Sequence, residues 1–334
     1  MNKGKSPQPK RLILLLLLIV TALLVSPFLG FKLMSWGDVF NTQSREHTIF
    51  WQIRVPRVIV STLAGAGLAL CGLVFQAMLR NPLVSPFTLG VTAGASLGAS
   101  FYIWAGLGFS LLGISGISVF SFLGACLSIL FVWSLSRMGR GNSMTTMLLA
   151  GVVVSFFFAS FIIFLQYLSS VQQALRISRW LMGGIYVFGY EAVFDLLPFI
   201  LLGSLFIWAW AFELNILTTG EELATSRGVN VQQLIKLLFF LVSLMIGNIV
   251  AVCGPIAFVG IMVPHMCRLI LGGDHRVLVP GTFLFGGLFL TLCDTLARTL
   301  IAPAEIPVGV ITALLGGPFF LWLLVRRSSQ ELIL

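Results

Sequence analysis

Charged residues are scarce in this sequence: Asp, Glu, Lys and Arg make up 9% of its 334 residues, whereas hydrophobic residues make up 58%. A soluble domain would carry roughly 25% charged residues, so this composition cannot build a water-exposed surface. The longest stretches without a charged residue cover 81–136 and 141–175. Because a membrane-spanning helix needs about 20 apolar residues, these stretches must hold more than one span or a span plus a loop.

The apolar stretches also lack the alternation of polar and apolar residues that a membrane β-barrel requires. We therefore predict an all-α integral membrane protein with about ten transmembrane helices, forming a single domain over residues 1–334. Gly, Pro and charged residues set the expected bounds. The predicted helices are 12–34, 57–80, 86–106, 115–137, 143–167, 191–212, 232–252, 257–271, 277–297 and 306–325.

Several catalytic motifs are missing. The sequence contains no G-x-x-x-x-G-K-[ST] phosphate-binding loop, no H-E-x-x-H and no G-x-S-x-G. We therefore expect no ATPase site and no enzyme activity on this chain. The five cysteines show no C-x-x-C spacing and fall in apolar stretches, which indicates packing rather than redox chemistry.

Ionisable residues near the middle of the predicted spans are also rare, although ion-driven carriers usually keep such residues in their pathway. An ion-gradient-driven secondary transporter is thus the alternative, and energy supplied by another subunit is the favoured interpretation. The natural place for that subunit is the longest polar insert, residues 213–230. Within it, Thr218–Gly220 predicts a helix start, Glu221 and Glu222 suit the first turn, and Gly228 predicts the end. The insert is either a helix that docks into a partner or a solvated connector.

The net charge of +9 is explained by topology. With ten spans and both termini in the cytoplasm, most Lys and Arg residues lie inside, as the positive-inside rule expects. Arg54, Arg57 and Arg298 are exceptions on the external side. They could bind carboxylates of a partner, reach lipid phosphates, or pair locally, as Arg298 could with Asp294 at i, i+4.

Several motifs occur in order and resemble one known family, the FecCD-type permeases for iron-siderophores, haem and vitamin B12. The resemblance covers residue 50 to the C-terminus. The motifs are R-V-P-R (54–57), R-N-P-L-V-S-P (80–86), G-E-E-L-A-x-S-R-G-V (220–229), G-P-I-A-F-V-G-I-M-V-P-H-M-C-R (254–268), D-H-R (274–276), D-T-L-A-R (294–298) and P-A-E-I-P-V-G-V-I-T-A-L-L-G-G-P-F-F (303–320).

The resemblance implies the architecture of a type II ABC importer permease in the bacterial inner membrane. Such a subunit translocates a metal chelate, with a ferric siderophore expected first and haem or cobalamin next. Its implied partners are a second copy in a homodimer, two ATP-binding ATPase subunits that carry ATP and Mg, and a periplasmic or lipid-anchored substrate-binding protein. No cofactor is expected on this chain and no nucleic acid is implied. Oxyanion importers share the same motifs.

The resemblance also implies site residues. Arg54, Arg57 and Arg298 correspond to arginines that receive glutamates of the binding protein. The predicted helix 143–167 and its flanking turns correspond to the part that lines the pathway in the family, although small polar residues there could equally be caps or helix contacts. The implied gate comprises Ser143, Met144, Thr145 and Thr146. The implied ATPase-coupling residues are Glu221, Glu222, Leu223, Ala224, Arg227 and Gly228.

Two histidines, His265 and His47, are candidate ligands. His265 follows Pro264 in an apolar stretch and tempts a haem-ligand interpretation, but a lone histidine in a P-H motif is more often structural. His47 lacks a second ligand nearby in the sequence. We therefore predict no metal site on this chain.

Overall fold

The computed structural model describes residues 9–30, 36–85, 87, 89–111, 114–138 and 144–331. Nearly all of them are helical. The helices are α1 (Pro9–Val25), α2 (Trp36–Phe40), α3 (Arg45–Ile49), α4 (Val55–Met78), α5 (Val91–Trp104), α6 (Gly116–Met138), α7 (Met144–Leu168), α8 (Val171–Leu181), α9 (Glu191–Ala209), α10 (Ala211–Leu217), α11 (Glu221–Ser226), α12 (Val231–Cys253), α13 (Val259–Leu271), α14 (His275–Thr299) and α15 (Val308–Glu331).

Short elements complete the fold. A 3-10 turn (Ser26–Phe28) follows α1, and a π-helical turn (Phe50–Arg54) leads into α4. Strands β1 (Ser110–Leu111) and β2 (Ile114–Ser115) pair antiparallel between α5 and α6, with Ser110 opposite Ser115.

Each of the ten predicted helices has a counterpart, namely α1, α4, α5, α6, α7, α9, α12, α13, α14 and α15. Among the residues that the structure describes, seven candidate spans are long and apolar enough to cross a membrane. Helices α5 and α13 are shorter, at 14 and 13 residues. The all-α membrane fold is confirmed, and the expected count of about ten agrees roughly with these elements.

Local sequence explains where the helices begin and end. Asn230 accepts a hydrogen bond from the Gln233 backbone N–H and so caps the start of α12. Helix α13 ends at Gly272, whose φ of 90° lies in the left-handed region that glycine favours.

Helix α4 forms the centre of the bundle. Nearly all of its residues are buried, and it packs against α9, α12, α13 and α14. At Gly72 the approach to α13 is so close that a Cβ atom would overlap the carbonyl oxygen of Gly260. A Cβ at Gly94 would likewise collide with the backbone of Gly124, where α5 packs against α6. Small residues permit this approach in membrane proteins, where helix packing rather than hydrophobic collapse holds the bundle together.

The periphery is apolar as well. Phe156 and Tyr167 on α7 are 72% and 85% exposed, and Phe194 on α9 is 70% exposed. Large apolar side chains on the outside fit lipid or another subunit rather than water. The polar contacts described next are instead concentrated at the two ends of the bundle.

Candidate functional site

At one end of the bundle, four charged side chains form a connected group, which we call the arginine cluster: Arg57, Asp294, Arg298 and Glu305. Arg57 lies in the first turn of α4 and grips the Asp294 carboxylate near the end of α14. Its Nη2 lies 3.0 Å from Asp294 Oδ1, and its Nε lies 3.1 Å from Oδ1 and 3.2 Å from Oδ2, so both carboxylate oxygens are contacted. Its Nη1 donates to Glu305 Oε2 at 2.8 Å. Bidentate pairing of this kind is strong and geometrically specific.

Arg298 completes the arginine cluster from one turn along α14. Its Nε lies 3.1 Å from Asp294 Oδ2, so one carboxylate bridges two arginines. Its other nitrogens donate to Ser26 Oγ at 3.0 Å and to the Leu29 carbonyl at 3.2 Å. Arg298 thereby ties α14 to the chain that follows α1.

Arg54 lies beside the arginine cluster. Its Nη1 donates to the carbonyl oxygens of Pro27 and Phe28 at 3.0 and 3.2 Å. Since Arg54 precedes α4 and Pro27 follows α1, these bonds join the two elements at their ends.

The three arginines predicted for docking therefore lie near one end of the bundle, but they are not free on its surface. Arg57 and Arg298 are only 7% and 6% exposed. Local pairing of Arg298 with Asp294, the alternative noted from the i, i+4 spacing, is present. The docking role itself stays a prediction. Sequence reasoning missed Glu305, whose side chain is 45% exposed and whose only signal was its place in the P-A-E motif.

The predicted coupling residues run from Glu221 to Gly228 within the 213–230 insert, and we call this stretch the coupling segment. It lies at the opposite end of the bundle. Helix α11 begins at Glu221 directly after Gly220, and Gly228 has a left-handed φ of 82° just beyond its end. The predicted bounds of this helix are close. The cap differs, since α11 has no side-chain N-cap, and Thr218 and Thr219 instead donate back to carbonyls of α10.

One residue of the coupling segment is buried and the other predicted coupling residues are exposed to solvent. Ala224 is fully buried against the bundle, which anchors the short helix. The other predicted coupling residues are exposed: Glu221, Glu222, Leu223, Arg227 and Gly228. The segment thus presents two acidic side chains and one apolar side chain on an anchored helix, as a docking surface needs.

Basic residues from neighbouring helices surround this end. Arg80, just after α4, lies 3.6 Å from Glu221 in an ion pair whose side chains are about half exposed. Arg268 on α13 donates to Gln76 on α4, and Arg11 on α1 donates to the carbonyl oxygen of Ile270. The N-terminal end of α1 therefore lies on the same side as the coupling segment, as the predicted topology requires.

A cavity of about 870 Å³ lies beside α7 and is lined also by α5, α15 and the end of α8. Its wall is mostly apolar, with Phe156 and Leu314 among its residues and Ser155, Gln166 and Thr92 supplying polar atoms. None of the described residues that line it is charged.

The predicted gate lies elsewhere on the same helix. Ser143 falls outside the described residues. Met144 and Thr145 are the first two residues of α7. Thr146, in the first turn, is partly buried. The gate assignment stays a prediction. The cavity is lined by a second stretch of α7, residues 155–166, which falls within the predicted pathway helix 143–167 but whose residues were not named individually.

Over the described ranges, no group of three or more His, Cys, Asp or Glu side chains is arranged to hold a metal ion. His265 makes an edge-on ring contact with Phe319 at 6.1 Å, and His47 Nδ1 lies 2.7 Å from the Val39 carbonyl oxygen.

The fold and its apolar spans define a multi-pass helical membrane protein. The sequence matches the FecCD transport family over residues 14–326. The chain belongs to that family.

Individual relatives agree with this assignment. The chain is 38% identical to the hemin transport system permease protein HmuU of Yersinia pestis, covering 97% of this chain and 98% of that protein. It is 40% identical to the uncharacterised ABC transporter permease protein YvrB of Bacillus subtilis, covering 87% and 82%. It is 36% identical to the cobalamin import system permease protein BtuC of Halobacterium salinarum, covering 88% and 78%.

A solved structure shares the whole fold. A transporter described as of the metal-chelate ABC type, in an inward-facing conformation, superposes with a TM-score of 0.85 at 33% identity, covering 95% of this chain and 99% of that one. The all-α architecture of an ABC importer permease is therefore confirmed.

Proposed function

We propose that this chain is the permease subunit of a binding-protein-dependent ABC importer, in which separate subunits hydrolyse ATP and the cargo is a metal chelate. The observation that carries the proposal is the placement of the two polar ends. An exposed acidic helix lies at one end of the apolar bundle and the arginine cluster lies at the other. A permease that binds an ATPase on one side of the membrane and a substrate-binding protein on the other needs two such surfaces. Family membership supports this arrangement.

In this proposal both termini lie in the cytoplasm of a bacterial cell and the bundle spans the inner membrane. The ATPase subunits, carrying ATP and Mg, bind Glu221–Gly228, and this chain itself performs no chemical step and holds no cofactor. The substrate-binding protein docks over Arg54 and the arginine cluster, where acidic residues of its two lobes meet positive charge. Complementary charge of this kind governs orientation and encounter rate more than affinity.

A second copy of the chain is the proposed partner at α7. Phe156 and Tyr167 are highly exposed there, and the cavity beside them is open and apolar. Two copies facing one another across α7 would enclose a shared pathway. Its inner mouth would lie near Ser143–Thr146, and its wall would be uncharged.

The cargo is proposed at the level of a metal chelate. A ferric siderophore is the first candidate from the sequence resemblance. Haem stands beside it because the hemin permease relative matches nearly the whole of both chains. Cobalamin is the third candidate, since it is the cargo named for another relative.

The proposed cargo is tested by measuring the uptake of several candidate compounds one at a time. The complex of this chain, its ATPase and its binding protein is reconstituted in liposomes, with ATP enclosed on the ATPase side, and offered a ferric siderophore, haem, cobalamin and molybdate separately. We expect uptake of one chelate and little uptake of molybdate. Selective uptake of molybdate would overturn the chelate assignment.

A further inference from the structure

Helix α10, the short helix that precedes the coupling segment, is hydrogen-bonded to the start of α14 through the amide side chain of Asn215. Asn215 on α10 donates from Nδ2 to Asp274 Oδ1 at 2.7 Å. Its Oδ1 accepts from the His275 backbone N–H at 2.9 Å and lies 2.8 Å from His275 Nδ1. Both ends of the amide are therefore used, which requires a side chain that donates and accepts at once.

Two further contacts hold the same junction. Trp208, near the end of α9, donates from Nε1 to the carbonyl oxygen of Arg276 at 3.2 Å. The Arg276 guanidinium lies 5.0 Å from the ring centroid of Phe212 on α10. Asp274 also caps α14 by accepting from the Arg276 N–H at 3.0 Å. The first turn of α14 is thus held by α9 and α10 together.

Helix α14 carries this junction to the other end of the protein. It runs for 25 residues, or about 37 Å at 1.5 Å per residue. Its far end bears Asp294 and Arg298, the centre of the arginine cluster. Energetic coupling between distant sites travels through packed, rigid elements of this kind when both sites bias their position.

We propose that Asn215 is a positioning residue that couples the state of the ATPase to the arginine cluster by fixing α10 to α14. This inference rests on the proposed function, because it assumes that the ATPase binds the coupling segment and that the substrate-binding protein docks at the arginine cluster. Movement of the coupling segment would pass through α10 and Asn215 to Asp274, and along α14 to Asp294. Asn215 touches neither partner in this scheme.

The test compares nucleotide effects on docking. The affinity of the binding protein for the permease–ATPase complex in nanodiscs is measured with and without a non-hydrolysable ATP analogue. Site-to-site coupling typically changes affinity about 5- to 150-fold. With Asn215→Ala we expect this nucleotide-dependent ratio to fall to about one, while the nucleotide-free affinity and the attachment of the ATPase stay as in the wild type.

Matched variants separate coupling from folding. Asn215→Asp removes the donor and sets two carboxylates against each other, so the ratio should collapse. Adding Asp274→Asn exchanges donor and acceptor and should restore it, and asparagine still caps α14. Thr218→Ala is the control and should keep the wild-type ratio, since it removes a hydroxyl that donates to the Asn215 backbone carbonyl and leaves the Asn215 amide contacts in place.

An unchanged ratio in Asn215→Ala, or failure of the double variant N215D/D274N to recover while folded by size-exclusion chromatography, would overturn the inference. Absence of docking, or of any nucleotide effect, in the wild type would overturn the proposed function as well. That failure is distinguishable because it needs no variant.

Discussion

Removing the carboxylate of Asp294 should destabilise this protein more than any other single charge change at the arginine end. Asp294 is fully buried and bridges Arg57 and Arg298, which are themselves almost completely buried. Asp294→Ala would leave two buried guanidinium groups without their shared partner. Breaking a buried ion pair by removing one partner costs about 3–5 kcal/mol.

The matched control is Glu305→Gln. Glu305 contacts the same Arg57, but its own side chain is 45% exposed, so its loss should cost well below that of Asp294 and nearer the roughly 0–1 kcal/mol of exposed pairs. A combined variant with Arg57→Met, Asp294→Leu and Arg298→Met should recover part of the loss, because neutralising a whole buried group is far less costly than breaking it.

The assay is unfolding of purified protein in detergent, followed by intrinsic fluorescence during a denaturant titration. We expect the order wild type, Glu305→Gln, combined variant, Asp294→Ala, from most to least stable. Equal stability of Asp294→Ala and Glu305→Gln would refute the conclusion that Asp294 is the buried centre of the arginine cluster.

Three further predictions concern the two ends. Arg54→Glu should weaken docking of the binding protein about tenfold or more, since like charges at an interface cost several kcal/mol, and should leave ATPase attachment intact; equal docking in surface plasmon resonance would contradict this. Glu221→Ala with Glu222→Ala should do the reverse, lowering co-purification of the ATPase while docking persists, and loss of both would argue for misfolding. The Asn215 amide and a backbone N–H hold the pKa of Asp274 below its ordinary value, so its stabilisation is complete above about pH 4 and is lost as pH falls through the lower folded pKa. Asp274→Asn should therefore flatten the loss of stability below about pH 4, and an unchanged acid profile would contradict the assignment.

The long helices were readable from the sequence because the membrane imposes one rule on them. A stretch without charge must be helical in lipid, and charged or Gly-Pro positions mark its ends. The bounds of α4 and α12, predicted as 57–80 and 232–252, are within a few residues of those observed.

Some of the shorter helices were not predicted. Helix α8 was missed, although Ser170 and Gln173 form a capping box at its start. It continues an uncharged stretch at one end and carries two arginines at the other, so hydropathy alone gave no boundary. Helices α2 and α3 are five residues each, and helices of that length depend on packing rather than on their own sequence.

The two candidate sites also differ in how much of each could be predicted from the sequence. The coupling helix was predictable because its acidic first turn and the glycine beyond its end are local signals, although the predicted side-chain cap is absent. The arginine cluster was only partly predictable, because Arg57 meets Asp294 and Glu305 from more than 200 positions away in the chain. The one local contact, Asp294 with Arg298, was the part visible in the i, i+4 spacing.

One pattern in the sequence gained a physical meaning. Gly72–Arg80 resembles Gly260–Arg268, and the two segments lie side by side, with Gly72 against Gly260 and Gln76 in contact with Arg268. The shared glycine permits the close approach of α4 and α13. The similarity thus corresponds to a packing interface, which spacing alone did not reveal.

The most direct test of the central claim is uptake of a metal chelate by proteoliposomes under two energy sources. We expect uptake only when the ATPase, the binding protein and ATP are all present, with no uptake by the permease alone under a proton or sodium gradient. Gradient-driven uptake by the purified chain without ATPase would identify a secondary transporter and overturn the proposed function.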